Sequence, residues 1–556
     1  MLYFIPAWYR GQDWCENEQP WYQKRTKSEF DETVKQITLF HRNVKLDYKI
    51  LLLSYFPNLR HFLHRQGMFR APYWSCFDAM AQIRRKKVST LSFRDLEWPS
   101  DVEFVYSSFA ILAFRGEEKY AKIEFAEDGN LLFVDLYENG RLSKRNRYDD
   151  RGFLSLCIHY YNEEELYRDY LMENGIWKMR VDAKDGHVKI NPHYPCFDVI
   201  KNGDFLQRRF QKENYPSLAS VIEEVLSAQM KETQKADQFF VAMHPLHGNL
   251  LSRCLKEKKV ILTFFEERCS DTQILQMKDF LRQAEYVVTD SEETTVRIKN
   301  QLGEEKINIM DISPYDARMD FGISAHLKIQ NILLPIDGLP EEAYRIVIGE
   351  LFTYLQKNEY ARVHLFTRDA SAEQETRIRR TLQELLLELG GYHTSAQENE
   401  NGQATQSKRK DQNRQTGQAG QNRQAGEGEL NMSNLQKQQD EARFFIDVCV
   451  DERTISKCMH EQRVILDLRQ KTDVYLAITA ISKGVPRICM KKDPYVVHQK
   501  NGYLIEEYAQ IKEALSFYLD DFENWNNALI ECYKMVQKYA TNELLDSWRK
   551  VLKIRG

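Results

Sequence analysis

The chain has 556 residues, with 78 Lys and Arg against 82 Asp and Glu, for a net charge of −4. That balance gives no electrostatic footprint for nucleic acid, and no basic stretch is interleaved with aromatics. A chain this long is expected to form about two to four domains, and 42% hydrophobic content supplies ample core. Its 10 cysteines are scattered singly, with no C-x-x-C pair. This pattern fits a reducing cytosol and gives no reason to expect a metal site. The first residues, MLYFIPAWYRGQDW, lack a basic n-region and a long apolar run, so they do not read as a signal peptide. No segment reaches the ~18 apolar residues of a membrane span. A cytoplasmic protein is expected.

Residues 2–5 form a short apolar strand running into Pro6-Ala7-Trp8-Tyr9. Residues 28–40 place Phe30, Val34, Ile37 and Phe40 on one helical face. A buried strand at 48–56 and a helix at 58–65 follow, and this alternation predicts a doubly wound α/β sheet. The pattern changes at 104–190. Short period-two runs are separated by Asp128-Gly129, Asn139-Gly140, Asp150-Arg151-Gly152, Asn174-Gly175 and Asp185-Gly186. Such turns are hairpin signals, so an antiparallel β-sheet inserted into the first α/β domain is expected.

Parallel character returns with a strand at 238–243, ending in His244-Pro245-Leu246-His247, and with strands at 259–264 and 286–289. A second α/β unit begins near residue 330. It carries strands at 332–335, 362–366, 444–448 and 463–467, and terminal helices at 507–519 and 526–539. Residues 393–440 are rich in Gln, Asn, Gly, Lys and Glu, which predicts a disordered loop inside this second unit. The expected division is a first Rossmann-like domain at 1–103 and 193–320, the β-insertion at 104–192, a second Rossmann-like domain at 321–540, and a C-terminal helix at 541–556 returning to the first.

The most informative stretch is 477–506, AITAISKGVPRICMKKDPYVVHQKNGYLIE. A helical run is stopped by Gly484, Val485-Pro486-Arg487-Ile488 enters a buried strand, and Asn501-Gly502 forms a turn supplying positive-φ positions before another strand. In a parallel α/β domain such segments lie at the strand ends where ligands bind. The order resembles the GT-B glycosyltransferase pattern E-A-x-A-x-G-x-P-V-I … N-G-x-L, with Gly484, Pro486, Ile488, Asn501, Gly502 and Leu504 in register. The alternative is an ordinary strand–turn–strand. The carboxylate that the pattern places five residues before the Gly falls on Thr479, and its partner falls on Lys471. A basic pair to hold the donor diphosphate is absent after the second domain's first strand, where 335–342 is acidic and apolar. The glycine loop expected after the first strand is replaced by bulky residues. No sugar-nucleotide cofactor and no catalytic residue are therefore expected.

The candidate ligand-contacting residues are His244, His247, Gly484, Pro486, Asn501 and Gly502. For the two histidines a cleft-facing pair and a loop of internally satisfied imidazoles are equally open readings. Trp8, Tyr9 and Trp14 are candidates for an interaction surface, and core packing is the alternative.

The segments 3–9 (YFIPAWY), 58–67 (NLRHFLHRQG) and 148–155 (YDDRGFLS) are together similar to one family. It is the first of the accessory secretory proteins of the accessory Sec system of Gram-positive bacteria. The similarity spans nearly the whole chain except the Gln-rich insert. The Tyr-Asp-x-Arg-Gly-Phe turn also resembles the inserted sheet of glycosyltransferases that modify serine-rich-repeat adhesins. The resemblance implies a GT-B-like fold without transferase activity. It also implies a cytoplasmic complex with two sibling accessory secretory proteins, brought to the membrane face through its partners. That complex would assist the accessory SecA motor in exporting glycosylated serine-rich-repeat adhesins. An active transferase on the adhesin and a glycan-binding module are the alternatives.

Overall fold

The strand Leu2–Ile5 is buried at every position, as suits the middle of a parallel sheet covered on both faces. The computed structural model describes residues 1–16, 18–22, 31–43, 47–68, 70–303, 307–389 and 443–553. In it this strand lies within a seven-stranded sheet. From one edge the order is Ile309–Asp311, Tyr286–Thr289, Lys259–Phe264, Gln238–Ala242, Leu2–Ile5, Tyr48–Leu52 and Tyr73–Ser75. All neighbours are parallel. The order reverses between Leu2–Ile5 and Gln238–Ala242, which makes that junction the topological switch point where α/β sheets bind ligands.

A ten-stranded antiparallel sheet is spliced in after Tyr73–Ser75. It runs as a meander from Val102–Tyr106 to Val188–Ile190, and Asn214–Tyr215 then pairs on its far edge. The sheet thus recruits a strand from beyond residue 192, past a separate hairpin formed by Cys196–Lys201 and Asp204–Arg209. Several of its turns carry residues in the left-handed region, as at Asn139 (φ 51°) and Gly140 (φ 75°). Asn162 and Glu163, which carry no glycine, adopt the same geometry at φ 49° and 69°.

Among the described residues, those up to Pro314 and from Ser547 onward group as one unit, and Tyr315–Asp546 as another. The helix Thr541–Leu552 ends in the first unit, where the Trp548 ring lies 5.6 Å from both Phe40 and Phe240. The second unit holds a six-stranded parallel sheet. Its order is Phe444–Val448, Ala361–Thr367, Gln330–Pro335, Gln462–Asp467, Arg487–Cys489 and Gly502–Leu504, reversing between Gln330–Pro335 and Gln462–Asp467. The segment 393–440, expected to be disordered, lies outside the described residues. Among the described residues no helix is long and apolar enough to cross a membrane.

Two of the sequence segments that carry the family resemblance meet inside the first unit. Arg60, in the first turn of the helix Leu59–Arg65, donates to Asp149 (3.0 Å) and Asp150 (2.5 Å). Arg151, with its side chain 2% exposed, donates to Asp149 (2.7 Å) and to Asp78 (2.8 Å). Burial opposes ionisation of Asp149, but Arg60 and Arg151 outweigh it and hold its carboxyl below the usual range. This buried lattice joins the β-insertion to the parallel sheet's flank. Gly152 completes the turn at φ +82°, where an added Cβ would meet the Ser89 carbonyl at 2.9 Å.

Candidate functional site

The switch point of the first unit is furnished by Tyr9, which follows Leu2–Ile5, and by His244 and His247, which follow Gln238–Ala242. His247 is fully buried, and its Nδ1 lies 2.6 Å from the Ala242 carbonyl. A carbonyl can only accept, so Nδ1 carries the proton and Nε2 accepts from the Tyr9 hydroxyl at 2.7 Å. His244 Nδ1 accepts from the Leu246 amide at 3.2 Å, and the ring also bonds the Gly11 backbone. The nitrogens of both rings are therefore engaged within the chain. Burial, with the nearby Arg268 charge, brings His244 down to about 4. Burial, with His244 beside it, brings His247 down to about 3. The two imidazoles are neutral at physiological pH and brace the loop.

The aromatic candidates lie around this loop. Trp14 is buried, with its ring edge-on to Tyr9 at 5.5 Å. Trp8 is buried between Phe56 and Phe62 and donates from Nε1 to Asp31 at 3.0 Å. Tyr9 is half-buried against the core. Trp8 and Trp14 thus belong to the packed interior, and any surface they influence is shaped through their neighbours.

The His247 tautomer predicts a pH effect. Its folded pKa lies below the unfolded value of about 6.5, so its contribution to stability is full above that value. The contribution is lost progressively as pH falls from there toward about 3. By pH 5 the loss amounts to about 2 kcal/mol. His247→Asn should destabilise the protein at pH 7, and the difference from wild type should shrink by about that amount at pH 5 in denaturant titrations. A gap independent of pH would show that His247 does not titrate as described.

In the second unit the strand ends carry charges that cancel in pairs. Arg469 grips Asp467 with two donors at 2.7 and 2.9 Å. Arg368 reaches Asp473 at 2.9 Å, and Arg487 reaches Asp493 at 3.0 Å. Arg487 is 3% exposed in its side chain, and its Nε and Nη1 have no partner among the described residues. Burial opposes the Asp467 charge, but Arg469 and Arg487 more than compensate and lower its pKa. Asp337, in the acidic and apolar stretch 335–342, accepts from Thr367 Oγ1 (2.6 Å) and the Arg368 amide (2.7 Å). Basic groups therefore do stand here, Arg368 and Arg469 just past the ends of neighbouring strands and Arg487 opening its own, and each is tied to an aspartate. Two of these pairs join near neighbours in sequence, Asp467 with Arg469 and Arg487 with Asp493, while Arg368 and Asp473 meet across 105 residues.

The remaining candidates hold backbone. Thr479 bonds back to the Tyr475 carbonyl of its own helix at 2.8 Å, and Lys471 is exposed. Gly484 ends the helix Val474–Lys483 at φ +71°, where a Cβ would strike Leu529. Pro486 is buried, and its carbonyl accepts from Ile465 at 3.0 Å. The Asn501-Gly502 turn departs from expectation, because the left-handed residue is Gln499 (φ 56°). Asn501 acts instead through its side chain, accepting from the Val497 amide and donating to the Tyr495 carbonyl, both at 2.8 Å. Gly502 opens the edge strand, and its missing Cβ makes room for the Arg487 carbonyl.

The sequence model of the accessory Sec system family of accessory secretory protein 1 matches residues 1–555. The chain belongs to the accessory secretory protein 1 family. The family's protein from Streptococcus gordonii is 30% identical over 100% of this chain and 99% of its own length. That of Staphylococcus aureus is 27% identical over 98% of each. Among solved structures, the Gap123 glycosylation-associated complex of Streptococcus agalactiae aligns with a TM-score of 0.74 at 26% identity, covering 98% of this chain and 99% of that one. The pneumococcal O-GlcNAc transferase GtfA, solved with UDP and GlcNAc, aligns at a TM-score of 0.67 and 11% identity over 99% of this chain and 98% of its own. That likeness shows a shared GT-B architecture. This member of the family is thus a GT-B-like component of the accessory Sec system.

Proposed function

We propose that the chain works as a non-catalytic GT-B scaffold in the accessory Sec system. It would assemble with its sibling accessory secretory proteins and assist the accessory SecA motor in exporting glycosylated serine-rich-repeat adhesins. The observation that carries this reading is the set Arg368, Arg469 and Arg487, each neutralised by an aspartate of the same unit. A donor diphosphate would have to displace those aspartates, and in the two well-buried pairs, Arg469–Asp467 and Arg487–Asp493, stranding a partner costs about 3–5 kcal/mol. Thr479 and Lys471 offer no carboxylate in compensation. Relatives solved as complexes of accessory secretory proteins 1, 2 and 3 and as the Gap123 assembly support sibling binding. The reading puts the protein in the cytoplasm, drawn to the membrane face by its partners.

The test is affinity capture of the full chain from its own cytosol, together with a UDP-sugar hydrolysis assay on the purified protein. Recovery of the sibling subunits and the motor, with no hydrolysis above buffer, is expected. Capture of neither sibling, or hydrolysis that depends on Arg469, would overturn the scaffold reading.

A further inference from the structure

Away from both switch points, the first unit contains a cavity of about 690 Å³ beside its edge strand Tyr73–Ser75. The helix Cys76–Ala81, the segment 83–88 and the hairpin formed by Cys196–Lys201 and Asp204–Arg209 enclose it. That volume lies within the ~300–1,000 Å³ typical of small-ligand pockets. Its apolar wall includes Pro72, Tyr73, Trp74 and Phe205.

The charges around the cavity do not cancel. Arg84 is held by Asp198 at 2.7 Å and Arg85 by Glu173 at 3.3 Å, while Arg60 and Arg151 belong to the lattice described above. Three further cations line the cavity, Lys49, Lys86 and Lys87. Among the described residues none of the three has a hydrogen-bond or ion-pair partner. Lys49 is half-buried one residue into its strand. Its pKa is drawn down by burial and then by the Lys86 charge, which is the situation of a cation without an anion.

The rest of the wall offers flat apolar surface. Trp74, 3% exposed, contributes part of its ring, with its indole Nε1 closed off from solvent. The site thus combines three unneutralised ammonium groups with aromatic walls.

We propose that this cavity binds a small phosphomonoester with a flat or apolar body. Lys49 and Lys86 would take the phosphate, and Tyr73 and Phe205 would cover the body. The phosphate could come from a free metabolite or from a phosphorylated side chain, and the test separates these sources. Isothermal titration of the full chain at low salt would use UMP, inorganic phosphate and a short phosphoserine peptide. UMP should bind at least 10-fold more tightly than inorganic phosphate. Lys49→Gln should weaken it about 10-fold. Lys86→Gln with Lys87→Gln changes only exposed side chains, should leave the melting temperature unchanged, and should also weaken UMP about 10-fold. A phosphoserine peptide that outcompetes UMP would assign the same pocket to a chain-borne phosphate. Absence of millimolar binding by any probe, or binding indifferent to the exposed lysine pair, would overturn the proposal.

Discussion

Arg151→Met is expected to destabilise the first unit by about 3–5 kcal/mol, the cost of leaving buried carboxylates without their cation. Arg151 offers donors to Asp149 and Asp78 and to the Arg85 carbonyl, and its own side chain is 2% exposed. Removing it leaves Asp149 with Arg60 alone, in a site where burial already opposes the carboxylate charge. Asp150 is a second carboxylate sharing Arg60, pushed up to about 6 by burial against the pull of Arg60, so it competes for the remaining cation. The coupling gives the prediction a second arm. Asp149→Asn should cost a similar amount alone, but Arg151→Met with Asp149→Asn should cost clearly less than the sum, because each single change strands the other charge. Denaturant titrations of the four proteins measure this. Additive effects would show that the pair contributes packing rather than charge. Because the lattice ties residues 60 and 78 to 149–151, limited proteolysis should also cut the β-insertion sooner in the single variants.

The same lattice marks where sequence reading stops. The two segments it joins stood out in the sequence as family resemblance, 58–67 and 148–155, yet nothing in their spacing showed that Arg60 and Asp149 touch across 89 residues. Local signals carried further. The apolar run of Leu2–Ile5, the Gly484 helix stop and the Asp-Gly and Asn-Gly turns of the β-insertion each encode their geometry within a few residues, and each lies where that chemistry requires. Asn162-Glu163 escaped because Asn alone is a weak turn signal and Glu rarely adopts the left-handed region that glycine would have announced. The pairing of Arg368 with Asp473 escaped for the opposite reason, since it joins segments 105 residues apart that only the folded sheet brings side by side. The histidines fell between these cases. Their place after a strand was legible, but the engagement of their nitrogens by Ala242, Leu246, Gly11 and Tyr9 depends on how two strands meet at the switch point.

Asn501→Ala and Gly502→Ala are expected to have the second-largest effects, and they test whether 477–506 retains its pattern for geometry rather than for sugar. Asn501 is 3% exposed, and its amide closes the 495–501 loop on itself through the Tyr495 carbonyl and the Val497 amide. Alanine would leave both backbone groups without their side-chain partner, at about 1–3 kcal/mol each if they stay buried. Gly502 has no positive φ to protect, so alanine strains no torsion there. Its Cβ would overlap the Arg487 carbonyl and lie 2.7 Å from Val496. A backbone atom cannot step aside as a side-chain tip can, so the edge strand would have to separate from Arg487–Cys489. That displacement would also disturb Arg487, and through it Asp467 and Asp493. Gly502→Ala should therefore cost at least as much as Asn501→Ala, about 3 kcal/mol or more. If the stretch is a scaffold, both variants should lose stability, and UDP-sugars added in excess should restore none of it in thermal melts. Restoration by a UDP-sugar in the wild type or either variant would mean that the strand ends still bind a donor, because a ligand stabilises only the state that holds it.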